Sequence, residues 1–196
     1  VNNDELITRI KKFNPDIIFC IGWSSILKEK LINTPRLGVI GFHPAELPFN
    51  KGRHPLIWAI LLGLKNTATT FFFINKGIDS GNIINQKKIN INNNDNAGTL
   101  YKKAINNLKI QLQLIVNTIN RNSEIRSKSQ KRKGNTWRKR SYLDGQINWN
   151  MDSKTIERLV KSLSRPYVGA HFIHKNKEYK VWKVKALKTN KYINIE

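Results

Sequence analysis

The sequence contains very little cysteine. Cys20 is the only cysteine among 196 residues, which excludes both a disulfide framework and a cysteine metal cluster. It lies inside an apolar run, where a buried and inert thiol is the usual state. Because these features need no oxidising compartment, we expect a cytoplasmic protein.

Long apolar runs and acidic residues are also scarce. No stretch approaches the roughly 20 residues that span a bilayer, and the first residues do not form a signal peptide, so we expect no membrane segment. Against 35 Lys and Arg there are 13 Asp and Glu, which gives a net charge of +22. This charge fits a polyanionic partner such as nucleic acid, but a basic solvated surface accounts for it equally well.

The first third of the chain has the pattern of a βαβ unit. Residues 16–22 and 37–42 are short apolar runs with β-branched residues, which indicates strands buried on both faces. Ser24 or Ser25 is expected to cap a short helix between them, so the two strands should be parallel. A doubly wound domain normally opens with a strand and a glycine turn, whereas this chain opens with a helix. We therefore expect an α/β fold with a partial doubly wound (Rossmann-like), mainly parallel sheet that lacks its first strands.

The remaining chain suggests three parts. Strands over residues 67–74 and 82–91 and a long helix over 96–120, capped by Asp95, complete a domain over residues 1–120. Residues 121–143 are polar and basic and are predicted to be a linker, either a solvated tether or a patch that binds nucleic acid or phosphate. Residues 144–196 are predicted to be a small α+β subdomain. It is too small to bury a core of its own, so it should pack on the first domain.

Two polar residues stand at promising places. His43 follows the second apolar run directly, and Pro44 keeps it out of a helix. Ligand crevices in open α/β sheets lie outside the carboxyl ends of the strands. Asp79 lies in a turn between Gly77 and Gly81, and we expect it at the same edge of the sheet as His43.

Three motifs in this order resemble the signature of the folate-dependent formyltransferase family. They are residues 43–48 (HPAELP), 52–55 (GRHP) and 77–81 (GIDSG), and residues 144–149 and 165–170 resemble the C-terminal part of its tRNA and sugar members. The family uses an Asn, a His and an Asp, of which His43 and Asp79 match. Gly41 occupies the position of the Asn, so one donor to the reacting oxygen is unassigned.

The resemblance implies an enzyme that transfers a formyl group from 10-formyltetrahydrofolate to an amine without a metal. His43 would stabilise the negative oxygen of the tetrahedral intermediate, and Asp79 would orient the imidazole and help to remove the amine proton. A water or a neighbouring side chain would fill the space at Gly41, and Gly41→Asn should be tolerated. The implied folate-binding residues are Gly22, Trp23, Ile26, Leu27, Gly77 and Ile78. The implied substrate-binding residues are Gly52, Arg53, His54 and Pro55.

The amine that receives the formyl group is less defined. Residues 137–144 and 165–167 look more like the sugar N-formyltransferases, which favours a nucleotide-linked amino sugar. Methionyl-tRNA is the alternative, since the charge suits RNA. A non-catalytic basic binding module is a second alternative, because Gly41 replaces the family Asn. A homodimer is one expected form of the protein.

Overall fold

The structure, a computed structural model, describes residues 2–121 and 124–187. The helices are α1 (Asp4–Lys12), α2 (Glu29–Ile32), α3 (Pro55–Leu61), α4 (Ala97–Asn120) and α5 (Ser153–Ser162). The strands are β1 (Ile18–Cys20), β2 (Val39–His43), β3 (Lys51–Gly52), β4 (Asn66–Phe73), β5 (Ile83–Asn90), β6 (Thr136–Trp137), β7 (Ala170–His174) and β8 (Lys177–Val181). The end of the predicted C-terminal subdomain, residues 188–196, lies outside the described residues.

The main sheet has four strands in the order β1-β2-β4-β5. β1 and β2 pair in parallel, which confirms the predicted βαβ unit. β4 runs antiparallel to both β2 and β5. The α/β class is therefore confirmed, but the sheet over the described residues is mixed and not mainly parallel. An apolar run identifies a strand without giving the direction of its neighbour, so the sequence did not indicate the direction of β4.

The short helix of the βαβ unit begins later than predicted. α2 starts at Glu29, after Lys28, and not at Ser24 or Ser25. The side chain of Asn2 donates to the carbonyl oxygen of Ile26 and accepts the Lys28 amide, at 2.8 and 2.9 Å. These contacts bind backbone groups that an earlier helix would use, so the segment before Lys28 remains a loop.

α4 covers one face of the sheet. Its cap is Asn96, whose side chain and that of Thr99 form a capping box, while the predicted cap Asp95 binds Lys103 and the Asn92 amide. Leu100 is fully buried on this helix, which contributes roughly 1.5–3 kcal/mol. No helix in the described part of the chain combines the length and apolar character needed to cross a membrane.

The C-terminal elements pack on the first domain, as predicted. We call residues 121–143 the basic segment. A core cluster joins Ile57 of α3 to apolar residues that follow this segment. The buried members from that later part of the chain are Ile147, Leu159, Val160, Leu163 and Ala170. β7 and β8 form a separate antiparallel pair beside this cluster. The division at residues 120 and 144 stays a proposal.

The basic segment is not a solvated tether over its described residues. Lys128 exchanges two backbone hydrogen bonds with Ile83 at the start of β5, both 2.8 Å long. β6 pairs in parallel with β3, which includes Gly52, the first of the predicted substrate-binding residues. The segment therefore lies across the first domain, close to the residues expected to form the site.

Candidate active site

His43 ends β2 and is almost buried, with 6% of its surface exposed. Its Nε2 lies 2.8 Å from the carbonyl oxygen of Asn50. Since a carbonyl oxygen accepts, Nε2 carries a hydrogen and donates it. This bond fixes the ring and leaves Nδ1 as the nitrogen available for chemistry.

Asp79 lies beside that nitrogen. Its Oδ2 is 3.6 Å from His43 Nδ1, longer than a direct hydrogen bond, and the same Oδ2 accepts the Gly52 amide at 2.8 Å. His43 and Asp79 therefore lie together as expected. β4 leaves the sheet with Phe73 opposite Ile40, three residues before His43 on β2. The turn after β4 has to extend back along β2 for Asp79 to reach the imidazole.

The turn that carries Asp79 is tightly folded. Asp79 has a left-handed backbone with φ of +47°. The Asn75 side chain accepts from the Gly77 amide and from the Ser80 hydroxyl, at 3.1 and 2.7 Å. At Gly81, a Cβ atom would lie 1.7 Å from the carbonyl oxygen of Phe73, so this position needs glycine. Ile78, predicted to contact folate, is exposed at the tip of the turn.

Gly41 is buried and lies two residues before His43 on β2. A Cβ atom at this position would lie 2.9 Å from Cγ1 of Ile74 and 3.0 Å from Cζ of Phe72. The polar side chains expected to occupy this space were Ser24, Ser25 and Asn50, but the atoms nearest to it belong to the apolar Ile74 and Phe72. The expectation that Gly41→Asn is tolerated is therefore revised, because Ile74 has to move first.

The predicted substrate loop bends sharply between β3 and α3. Gly52 and His54 have φ of +94° and +56°, and Pro55 occupies the first turn of α3. Nδ1 of His54 accepts the Arg140 amide at 3.2 Å. Burial, followed by the charges of Arg53, Arg140 and Lys139, lowers the pKa of His54. Positive charge thus converges on this loop.

The predicted folate loop contains both exposed and buried residues. Gly22 has φ of +71°, and Trp23 and Ile26 are 49% and 68% exposed. Leu27 is only 6% exposed and packs in the core cluster with Ile7, Leu31 and Val39. Leu27 and Trp23 also line an apolar cleft of about 200 Å³ against β1. The Arg53 guanidinium donates to the Ser24 carbonyl, which ties this loop to the substrate loop.

A cluster of aromatic and basic side chains lies next to the substrate loop. Trp58 stacks on Trp137 with ring centroids 6.3 Å apart. Arg138 and Arg140 lie 5.6 and 5.0 Å from the centroid of Trp58. Arg138 pairs with Asp144, and this hydrogen bond holds the pKa of the Asp144 carboxyl well below its usual range. We found no group of three His, Cys, Asp or Glu side chains able to hold a metal within residues 2–121 and 124–187.

Comparison with known proteins defines the family. The family model described as formyl transferase matches residues 1–116, and the model of the formyl transferase C-terminal domain matches residues 139–194. The chain belongs to the formyl transferase family. The expected fold type is thereby confirmed. This family assignment rests on more than half of the chain.

The curated relatives of this chain are longer than the part of them that it matches. A methionyl-tRNA formyltransferase from Thermodesulfovibrio yellowstonii is 32% identical over 192 residues, which is 97% of this chain and 61% of that protein. The chain covers less than two thirds of each of the curated relatives compared.

Solved structures show the same fold at lower identity. A sugar N-formyltransferase from Shewanella superposes with a TM-score of 0.78 at 18% identity, covering 96% of this chain and 76% of that one. HypX from Aquifex aeolicus in complex with tetrahydrofolic acid has a TM-score of 0.75 at 18% identity, covering 90% and 31%. At this identity the likeness establishes the fold alone.

Sequence reasoning missed two contacts of this candidate site. Asn50 contributes a backbone carbonyl, and such a contact leaves no signal in residue type. Gln130 donates to the carbonyl oxygens of Asp79 and Gly81. It lies in a polar, basic run where neither spacing nor periodicity distinguishes it from its neighbours.

Proposed function

We propose that this chain transfers the formyl group of 10-formyltetrahydrofolate to the amine of a nucleotide-linked amino sugar. The observation that supports this most directly is the pairing of His43 with Asp79 at 3.6 Å, on residues that also match the family motifs. Folate use is a property of the family, and 10-formyltetrahydrofolate as the donor is part of the proposal. When bound, the folate supplies the formyl carbon that the amine attacks.

His43 is proposed to stabilise the oxygen that becomes negative in the tetrahedral intermediate. Its Nε2–H is held by the Asn50 carbonyl, so Nδ1 is the nitrogen left to face the reacting oxygen, and it donates there when it carries the second proton of the ring. A preorganised donor in a buried site stabilises a developing charge more strongly than one in water. The burial of His43 meets that requirement.

Asp79 is proposed to accept the proton that the amine loses, directly or through a water. The Gly52 amide holds Oδ2 in place, and the same oxygen faces Nδ1 of His43. Positioned acid–base groups of this kind typically contribute about 10²–10⁴ in rate. A glycine at position 41 removes one further donor, so we expect a modest turnover number.

Positive charge near the site supports an anionic substrate such as a sugar nucleotide. Arg53, Lys139 and Arg140 surround His54, which is two residues from the Gly52 amide that binds Asp79. A diphosphate carries the charge and the acceptor oxygens that arginine and lysine bind. Residues 137–144, which resemble the sugar members, include three of the basic residues beside Trp58 and His54.

Methionyl-tRNA is the second candidate substrate. It is favoured by the net charge of +22 and by the relative named above. A non-catalytic binding role is the third candidate function.

The residues proposed to lie along the folate are Trp23, Ile26, Gly77 and Ile78, whereas Leu27 would act by packing. The cytoplasmic location and the homodimer stay predictions.

The decisive experiment is mass spectrometry of products after incubation with 10-formyltetrahydrofolate. One arm contains a panel of amino-sugar nucleotides and the other contains methionyl-tRNA. We expect one added formyl group in the sugar arm. Formylation in the tRNA arm alone would replace the substrate assignment, and no product in either arm, with the protein folded, would favour the binding module.

A further inference from the structure

Gln130 lies between the two family matches, after residue 116 and before residue 139. Its side-chain amide nitrogen donates to two backbone carbonyl oxygens of the Asp79 turn. The distances are 2.9 Å to Asp79 and 2.7 Å to Gly81. A residue of the basic segment therefore supports the turn that carries the proposed catalytic carboxylate.

The turn needs such support because its backbone is strained. A left-handed conformation is unfavourable for most residues other than glycine, although aspartate tolerates it better than others, and Asp79 adopts one with φ of +47°. The Asn75 side chain secures the first half of the turn, at Gly77 and Ser80. Gln130 secures the second half, at the two carbonyls of Asp79 and Gly81.

Gln130 is itself fixed from both sides. Lys128 pairs with the backbone of Ile83 through two hydrogen bonds. Gly134 lies so close to Pro48 that a Cβ atom would come within 1.6 Å of the Pro48 carbonyl oxygen. Asn135 then accepts from the amides of Asn50 and Lys51, at 2.9 and 3.1 Å. Residues 128–135 thus hold the Asp79 turn and residues 48–51 in one arrangement.

The other end of the Gln130 amide gives a second indication. Its Oε1 is buried without a hydrogen-bond partner among the described residues. Among the described residues, the hydrogen bonds of the Gln130 side chain are therefore its donor contacts to the turn.

We propose that Gln130 is a positioning residue that holds the Asp79 carboxylate against His43 during formyl transfer. This rests on the proposed role of Asp79. Gln130 touches neither the imidazole nor the carboxylate oxygens. It acts through the backbone of the turn, so that a segment outside both family matches sets the geometry of the reacting pair.

The test uses two substitutions of similar size. Gln130→Glu has the same shape but offers the carbonyls no donor at neutral pH, and Gln130→Met has neither donor nor charge. Ser129→Ala is the matched control, since Ser129 is exposed and adjacent. All are compared with the wild-type chain for kcat and KM with the sugar nucleotide, thermal midpoint, and amide hydrogen exchange.

The exchange of the Gly52 amide reports directly on the position of Asp79, because that amide donates to Oδ2. We expect it to exchange about tenfold faster or more in both Gln130 variants, with the Leu100 amide in α4 unchanged. Misplacing a catalytic group by about 1 Å can cost 10²-fold, so kcat should fall about 10- to 100-fold while KM stays within about twofold. Ser129→Ala should match the wild type.

Unchanged Gly52 exchange in Gln130→Met would overturn the proposal, as would a Ser129→Ala variant that loses as much activity. A rise in Leu100 exchange equal to that of Gly52 would also overturn it, because the role would then be general stability. If Gln130→Glu does not fold, Gln130→Met decides. If the wild type transfers no formyl group, the proposed function fails, and the exchange experiment still tests the contact.

Discussion

The amide of Gly52 donates to the same carboxylate oxygen of Asp79 that faces His43. The substrate loop and the turn that carries Asp79 are therefore joined at Oδ2 of Asp79. A change in either loop moves the carboxylate relative to the imidazole. Because the basic segment contacts both loops, it too influences the geometry of the site.

Replacing Asp79 by Asn separates its charge from its hydrogen bond. An asparagine oxygen still accepts from the Gly52 amide, but the side chain carries no charge and no longer accepts the amine proton. We expect kcat to fall by about 10²–10⁴ with little change in stability. Initial rates and urea unfolding of Asp79→Asn measure the two effects.

Glu46→Gln is the control for this change. Glu46 is an exposed carboxylate that follows His43 by three residues, so the same loss of charge occurs outside the pair. Its rate should equal that of the wild type. Equal losses in both variants would mean that general charge, and not the His43 pair, is responsible.

The sequence is informative where residue type carries the chemistry. His43 and Asp79 are predictable because an imidazole and a carboxylate are the side chains that acid–base chemistry uses, and both lie in motifs of fixed spacing. The helix α4 and the strands β4 and β5 are predictable from the pattern and type of their residues. Their predicted ends lie close to the ends in the structure.

The sequence is uninformative where backbone groups make the contacts. The partner of His43 is a carbonyl of Asn50, and every residue type has a carbonyl. The docking of the basic segment leaves no pattern, because β6 is two residues long and its pairing with β3 uses the backbone. The late start of α2 depends on Asn2, which is distant in sequence.

The ion pair between Arg138 and Asp144 predicts a pH dependence of stability. The pKa of Asp144 is lowered in the folded chain, so its stabilising contribution is present above the unfolded value of about 4 and is lost as pH falls toward the folded value. Asp144→Asn should lower the free energy of unfolding at pH 7 by about 1–3 kcal/mol.

Urea unfolding of the wild type and Asp144→Asn across pH 7 to 3 measures this effect. The difference between the two proteins should be constant near neutral pH and should shrink below about pH 4. A difference that stays constant down to pH 3 would show that the carboxylate charge is not involved. Asp152→Asn would not serve as a control, because Asp152 caps α5.

The exposed cations Lys131, Arg132 and Lys133 distinguish the two substrate candidates. They lie on the outer side of the basic segment as exposed residues. Changing all three to glutamine should leave turnover on a sugar nucleotide nearly unchanged. If tRNA is the substrate, the salt dependence of its binding should flatten, because fewer counterions are released from the RNA.

The matched measurement is the slope of log affinity against log salt for tRNA and the kcat for the sugar nucleotide. Glutamine keeps the length and polarity of these side chains while removing the charge. A loss of sugar turnover with an unchanged slope would place these cations at the sugar site, contrary to the proposal.

The last prediction concerns Gly41 and the side chain that covers it. Asparagine at this position would place its Cβ atom 2.9 Å from Cγ1 of Ile74. Overpacking of this kind typically costs about 1–3 kcal/mol. We therefore expect Gly41→Asn alone to lower stability and to give no gain in rate.

Removing the obstacle should change the result. In the double variant Gly41→Asn/Ile74→Ala, the Ile74 groups nearest to the new side chain are gone, and only the end of the Phe72 ring, 3.0 Å from the new Cβ, still has to shift. The asparagine amide then has space to donate to the reacting oxygen, and one such donor is typically worth about 10²–10³ in kcat. The comparison is with Ile74→Ala alone, which carries the same loss of packing. If both proteins fold and the double variant is no faster, the missing donor at position 41 does not limit the rate, and glycine serves the packing of Ile74 against β2.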